Sequence, residues 1–360
     1  MKPLALKNIL KLTALAGAIG VLSGCAEDEA QKNFVLQYTT YSNSTSDQSK
    51  TVQKWAQEVE RLTDGGVKVE FHYSQSLAKA DDSLAATVDG RADIAQIGSI
   101  YATSGLPMFT VVELPFETMN PEVQMKAIER LYKESDEFKR NFEESGVKLL
   151  YPLPLGSVLL GLKEPAETPA DLSGRSIRSG GLTSEVLLTQ NVNPVAMTAT
   201  DIYESMERGV VDGYSALALA NLPTFGLSPI TPNLINPGIG AYSSSIVVIN
   251  SKIFDSMPED YQKAVLQASS QGIGYGLDEM GEAGGVACTQ LQEANASITK
   301  FADADIADWK SKVTVDEDWV NRYSERGYKS QTVLDSYRAI IKEEEGKSTY
   351  VSPIDSCMEG

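Results

Sequence analysis

The residues of this chain that could do chemistry are few, and they point to holding a charge rather than to breaking a bond. Arg178 ends Ser176-Ile-Arg178, a short stretch that reads as a strand, and Arg175 stands three positions earlier. A guanidinium presents a planar fork that matches a carboxylate with two parallel hydrogen bonds, so an arginine on a strand leading into a crevice suits an organic acid. On the residues alone Arg178 and Arg175 are equal candidates, and an ordinary exposed arginine is the plainer reading of either. His72 is the single histidine; it sits on a stretch of alternating polarity where a surface or satisfied role is expected. No H-E-x-x-H, paired C-x-x-C, P-loop or G-x-S-x-G pattern occurs. Ser76-Leu-Ala-Lys79 spells S-x-x-K, yet the S-D-N and K-T-G partners of that nucleophile are missing. No catalytic apparatus is visible, no metal site is expected and no cofactor is implied.

The cysteines speak of location. Lys2, Lys7 and Lys11 form a basic n-region ahead of an apolar run to Leu22, and Leu22-Ser-Gly-Cys25 resembles a bacterial lipobox. That reading makes 1–24 a lipoprotein signal peptide, Cys25 the lipidated mature N-terminus and 25–32 a solvated tether. An ordinary signal peptide with an incidental cysteine is the alternative. Cys288 and Cys357 then remain, and an oxidising compartment permits them to pair; two free thiols are the alternative. The net charge is −18, and removing 1–24 takes away three lysines and no acid. Such acidity excludes nucleic acid as a partner, because no basic patch exists to neutralise phosphates.

The elements that must position these residues alternate strand with helix, the mark of an α/β layer architecture. Phe34-Val-Leu-Gln-Tyr-Thr39 predicts a strand. Val52, Trp55, Val59 and Leu62 share one helical face over 51–62, ended by Gly65-Gly66. Val67, Val69, Phe71 and Tyr73 alternate as a second strand, and a short helix over 84–88 feeds a third strand over 92–98. Asp89-Gly-Arg-Ala-Asp93 is echoed by Arg208-Gly-Val-Val-Asp212, each between a helix and a strand. Two such matches in one setting point to paired lobes of similar build, with chance as the alternative. A strand is expected over 244–250. Ser256-Met-Pro-Glu259 has the form of a capping box opening a helix through Gln267. Gly272, Gly274, Gly276, Gly281 and Gly284-Gly285 then break the helical pattern, marking bends or close packing. Helices over 306–313 and 331–345 complete the expectation.

Several segments together carry a family resemblance: Gly90-Arg-Ala-Asp-Ile94, Glu113-Leu-Pro-Phe116, Pro169-Ala-Asp-Leu-Ser-Gly174, Arg178, Pro194-Val195, Asp201-Ile-Tyr203 and Gly209-Val-Val-Asp-Gly213. In this order and spacing, from Phe34 to about Lys342, the chain resembles the DctP-type solute-binding proteins of tripartite ATP-independent periplasmic (TRAP) transporters. The resemblance implies a two-lobed α/β periplasmic-binding-protein-like fold with a ligand cleft between the lobes and long C-terminal helices. It implies that the arginine matching Arg178 grips the carboxylate of a small organic acid, and that the solute passes to TRAP membrane permease subunits driven by a sodium or proton gradient. Family members that bind sialic acid carry a glutamate where Gly98-Ser99 stands, and an asparagine where Ala216 stands. A second arginine expected before Pro165 is replaced by Leu155-Gly-Ser-Val158. The lactate and keto-acid branch carries a Glu-Trp pair where Tyr214-Ser215 stands. Sialic acid is thereby disfavoured, and the particular acid is left open.

Lobe I is expected over 33–150 and 243–285, lobe II over 151–242 and 286–345, with 346–360 a C-terminal tail. Crevice-facing loops nominate Thr40 and Tyr41 (with Thr39) after the first strand, Ser99 and Tyr101 after the third, and Tyr214 and Ser215 after the turn beyond Val211. Hydroxyls donate to a carboxylate and tyrosine rings stack on an apolar body. The expected protein is an extracytoplasmic, lipid-anchored monomer that is not an enzyme; a ligand-sensing lipoprotein, or a lipoprotein enzyme acting on an acidic metabolite, is the alternative.

Overall fold

The computed structural model describes residues 33–241 and 244–358. Cys25, the leader and the tether lie outside the described residues. From Asn33 the chain forms one compact unit, and its path starts as the alternation implies. Strand β1 (Phe34–Thr39) leads to helix α1 (Asp47–Leu62). This helix starts four residues ahead of the expected 51, because the Ser46 side chain accepts a hydrogen bond from the Ser49 amide and Asp47 occupies the first turn. Val52, Trp55 and Val59 are its fully buried face. Strand β2 (Val67–His72), helix α2 (Ser83–Val88) and strand β3 (Ile94–Gly98) follow. Helix α3 (Pro121–Glu134) is capped by Asn120, helix α4 (Asp136–Glu144) by Ser135, and strand β4 (Val147–Leu153) closes the segment.

The chain then builds a second layer. It contains β5 (Leu159–Leu162), β6 (Ser176–Ser179), α5 (Gly181–Leu188), β7 (Asn193–Ala196), α6 (Ile202–Glu207), β8 (Gly213–Leu217) and β9 (Asn233–Asn236). It returns through β10 (Ser245–Asn250) and runs on as α7 (Ser251–Asp255), α8 (Glu259–Ser269), α9 (Gly272–Glu293), β11 (Ser297–Lys300), α10 (Asp303–Lys310), α11 (Val315–Ser324), α12 (Ser330–Glu345) and α13 (Pro353–Met358).

Two sheets result, ordered β2-β1-β3-β10-β4 and β11-β9-β5-β8-β6-β7. In each, two parallel neighbours are joined by an antiparallel strand that belongs elsewhere in the chain: β10 beside β3, and β5 beside β8. The two G-x-x-D turns occupy matching places. Gly90 and Gly209 adopt φ of +82° and +70°, which a side chain would strain. The Asp93 carboxylate accepts from the Gln37 amide at 2.8 Å while its own amide donates to the Gln37 carbonyl at 2.9 Å. Asp212 treats Ser176 the same way, at 2.8 and 2.7 Å. Each aspartate therefore knots the start of its central strand to the neighbouring parallel strand.

Strand β4 pairs with β10 as far as Leu153. Two expectations need correction. The capping box does not form: α8 begins at Glu259 behind Pro258, and the Ser256 hydroxyl instead donates back to the Ile253 carbonyl, closing α7. The glycines beyond 271 do not interrupt a helix. α9 is continuous over 22 residues, and three of those glycines let other chain segments approach its backbone. A Cβ at Gly272, Gly276 or Gly284 would meet Tyr151, Pro154 or Pro353 respectively. α9 contacts α1 at the first sheet and the 219–230 segment at the second, so one rod braces both lobes. α12 packs on α3, while Trp309 of α10 donates to Thr189 at 2.8 Å, so the C-terminal helices also reach both. Cys288 of α9 is disulfide-bonded to Cys357 of α13, with Cα atoms 5.6 Å apart.

Candidate functional site

Between the two sheets lies a cleft of about 440 Å³, part of it open to solvent, walled by both lobes. Arg178 is its cation. Strand β6 lies between β7 and β8 in register, Arg178 opposite Val195 and Tyr214. That pairing brings two carbonyls to the guanidinium: Nη1 donates to the Ser215 carbonyl at 3.0 Å and Nε to the Met197 carbonyl at 3.2 Å. Arg178 is fully buried, and its Nη2 has no hydrogen-bond partner among the described residues. Burial draws its pKa below the ordinary guanidinium value, opposed by the Tyr101 and Tyr41 hydroxyls and by Asp201; a guanidinium nevertheless stays charged. Arg175, its sequence rival, is committed elsewhere: it donates to the Glu164 and Pro165 carbonyls at the surface, both at 2.7 Å.

The turn that follows Arg178 is held from the other lobe. Gly181 has φ of +55°, and the Glu113 carboxylate occupies the space a Cβ would need there. Glu113 Oε2 accepts from the Leu182 amide at 2.8 Å at the start of α5. Burial pushes Glu113 up to about 7, against the pull of that amide and of Ser99, with Glu185 adding to the rise.

Of the eight residues nominated from sequence, the structure brings Arg178, Tyr41 and Tyr101 to the cleft wall, while Thr39 ends β1 and is fully buried. Tyr41 and Tyr101 meet edge to face, with ring centroids 5.8 Å apart. The Tyr41 hydroxyl is held by Ser245 Oγ at 2.8 Å and by Gln96 Nε2 at 2.9 Å. Thr40, Ser99 and Ser215 lie one layer behind. Thr40 donates to Gln96 and accepts from the Ser42 amide, Ser99 accepts from the Ser244 amide at 3.2 Å, and Ser215 offers Arg178 its carbonyl. Tyr214 is elsewhere. It belongs to β8 rather than to a loop, and strand alternation turns its ring into the core of the second lobe. Its hydroxyl meets Thr231 at 2.9 Å and its ring covers Gly161.

Sequence reasoning missed Asp47, Gln48, Leu155, Asn221 and Phe225, all of which line the cleft. The Ser46-Asp47 pair, an N-cap followed by an acid, is a signal that could have placed Asp47 at the head of α1. Nothing in the 219–230 segment marks Asn221 or Phe225. Asp47 is pushed up to about 7 by burial, against the backbone amides at Gln48 and Asp47, with Glu279 raising it and Lys50 lowering it. Two hydrogen bonds cross the rim: Asn43 Nδ2 to the Thr224 carbonyl and Gln75 Nε2 to Thr200 Oγ1, both at 3.1 Å. Among the described residues no cluster of potential metal ligands forms, and no helix is long and apolar enough to cross a membrane.

Two α/β lobes braced by shared helices, with a buried arginine on the wall between them, define the class: the two-lobed fold of solute-binding proteins. The chain belongs to the bacterial extracellular solute-binding proteins, family 7, whose model matches residues 38–323. It is 25% identical over 319 residues to the outer membrane transporter protein TsaT of Comamonas testosteroni, covering 86% of this chain and 92% of that protein. Among solved structures it is similar to a marine metagenome TRAP solute-binding protein specific for aromatic acid ligands, in complex with metahydroxyphenylacetate. That likeness has a TM-score of 0.79 at 19% identity and covers 86% of this chain and 99% of the other. A TRAP solute-binding protein of Rhodoferax ferrireducens with copurified benzoate matches with a TM-score of 0.78 at 21% identity, covering 88% and 99%. The protein is thus an extracellular solute-binding protein.

Proposed function

We propose that this protein captures a small organic carboxylate on Arg178, closes its lobes over it, and delivers it to TRAP membrane permease subunits as a monomer held at the membrane by lipid on Cys25. The observation that carries the ligand class is the buried Arg178 Nη2, on the cleft wall and without a partner among the described residues. A buried donor on a charged group left unmatched is costly, and a carboxylate oxygen is its natural complement. The rings of Tyr41, Tyr101 and Phe225 on the cleft wall suit an acid with a flat or short apolar body. Metahydroxyphenylacetate and benzoate, held by the two solved relatives, are of that kind. Ligand bound to both walls stabilises the closed form, and that form is what a permease recognises.

Thermal-shift screening of the mature protein against organic acids identifies the ligand, since binding to the folded state raises its melting point. Calorimetry then tests the anchor. Arg178→Ala lowers affinity by at least about thirtyfold, Arg178→Lys restores part of it, and Arg175→Ala changes little. Wild-type affinity in Arg178→Ala would remove the carboxylate anchor from the mechanism.

A further inference from the structure

The cleft has a second pole that gripping a carboxylate leaves unused. Asp47 lines the same cavity as Arg178 but comes from the other lobe, at the head of α1, whereas Arg178 sits on β6. Asp47 is only 4% exposed, and its Oδ1 has no hydrogen-bond partner among the described residues. The lysines nearest in sequence form no ion pair with it: Lys54 and Lys50 both pair with Glu279 of α9, at 2.5 and 3.8 Å, and Lys50 reaches Asp47 only through its charge. The helix start supplies backbone amides and partial positive charge, which satisfy part of a buried carboxylate and not the whole. The same cavity is lined by Tyr41, Tyr101, Ile100, Leu217 and Phe225, with Ser42, Gln48, Asn221 and Thr224 as its other polar groups.

We propose that the ligand completes the Asp47 site: the solute carries, at the end away from its carboxylate, a hydroxyl or ammonium group that donates to Asp47. This rests on the reading of Arg178 as the carboxylate anchor. It makes the protein selective for hydroxy acids and amino-bearing acids. It disfavours dicarboxylates, whose second carboxylate could be accommodated only with Asp47 protonated. A hydrogen bond to a charged partner contributes about 1.5–3 kcal/mol, which corresponds to roughly ten- to a hundredfold in affinity. The groups that bear on Asp47 are Glu279 from α9, Lys50 from α1 itself, and Tyr41 from the loop after β1; Arg178 stands across the cleft. Burial holds the Asp47 carboxyl up at about 7, and a donor arriving from the ligand favours its ionised form. An ammonium-bearing ligand therefore releases a proton on binding near neutral pH.

The test is calorimetric titration of the mature protein with two matched series. One is butyrate, gamma-hydroxybutyrate, gamma-aminobutyrate and succinate; the other is benzoate, meta-hydroxybenzoate, meta-aminomethylbenzoate and isophthalate. The methyl esters of the hydroxy acids accompany them. In the series that binds, the donor-bearing members should exceed their parent by about tenfold or more, with the dicarboxylate weakest. Asp47→Ala should erase the preference, and Asp47→Asn, which keeps the shape of the helix start, should abolish the preference for ammonium and its proton release. Equal binding of parent and donor-bearing acids by the wild type overturns the proposal. So does any preference that survives in Asp47→Ala, or an ammonium preference that survives in Asp47→Asn, after circular dichroism has shown the variant folded. Esters that bind as tightly as their acids overturn the carboxylate reading instead, and a panel in which nothing binds overturns both.

Discussion

At the scale of single residues, the site is built from groups held in states that water would not favour. Glu113 and Asp47 have carboxyls raised from 4.5 and 3.8 to about 7, chiefly by burial. Between the unfolded and folded values the native chain holds more protons than the unfolded one. Stability therefore falls as pH rises through that window and levels off above about 7, by about 1.4 kcal/mol per pH unit for each such group. The melting temperature of the ligand-free protein is expected to decline from pH 5 to pH 7.5, and Glu113→Gln should flatten the decline. A melting temperature that is constant or rising across that range in the wild type would contradict the assignment. Of these residues only Arg178 was legible as chemistry in the sequence, and it was legible because a resemblance singled it out from Arg175. Structure separates the two by partner: Arg175 is tied to two surface carbonyls, while Arg178 keeps one nitrogen for the cleft. Asp47 escaped notice because its helix was read from its apolar stripe, which starts later than its cap.

At the scale of elements, periodicity located β1 and the buried face of α1, and the paired G-x-x-D turns revealed the repeated lobe. It failed at Tyr214, and at α9 it left bends and close packing both open where only the packing occurs, for a common reason: both are decided by what packs against them from distant parts of the chain. Tyr214 was read as following a turn, yet β8 captures it between β5 and β6 and faces it inward. The α9 glycines looked like helix breakers, and several are contact points. They divide into two groups with opposite expected behaviour. Gly274, Gly281 and Gly285 have open space where a Cβ would go, so replacing each with Ala should stabilise the protein by roughly 0.5–1 kcal/mol through helix propensity alone. Gly272→Ala and Gly276→Ala press on Tyr151 and Pro154 and should destabilise by about 1–3 kcal/mol. Urea denaturation of the five variants measures both; a uniform response across them would show that packing on α9 does not set the pattern.

At the scale of the whole molecule, the lobes are joined by more than their connecting strands. The bond between Cys288 and Cys357 fixes α13 to the brace formed by α9, closing a loop of sequence separation 69. Opening it by Cys288→Ser with Cys357→Ser should lower stability by about 2–5 kcal/mol. Ligand affinity should change little, because neither cysteine lines the cleft. Peptide mapping without reductant and calorimetry check the two halves of that expectation; alkylatable thiols at both positions in protein from an oxidising compartment would show the bond absent. The strand order carries a further consequence, for the route by which the chain reaches this state. The first sheet lacks a middle strand until residues 245–250 have entered between β3 and β4, and the second lacks its edge until residues 297–300 have joined β9. Neither half can finish from a continuous run of chain, and the pairing of β10 with β3, which completes the first sheet, joins the strands farthest apart in sequence and so among the slowest to close. Late locking suits a polypeptide whose workplace is on the far side of a membrane: most of its length stays pliable until nearly all of it is present.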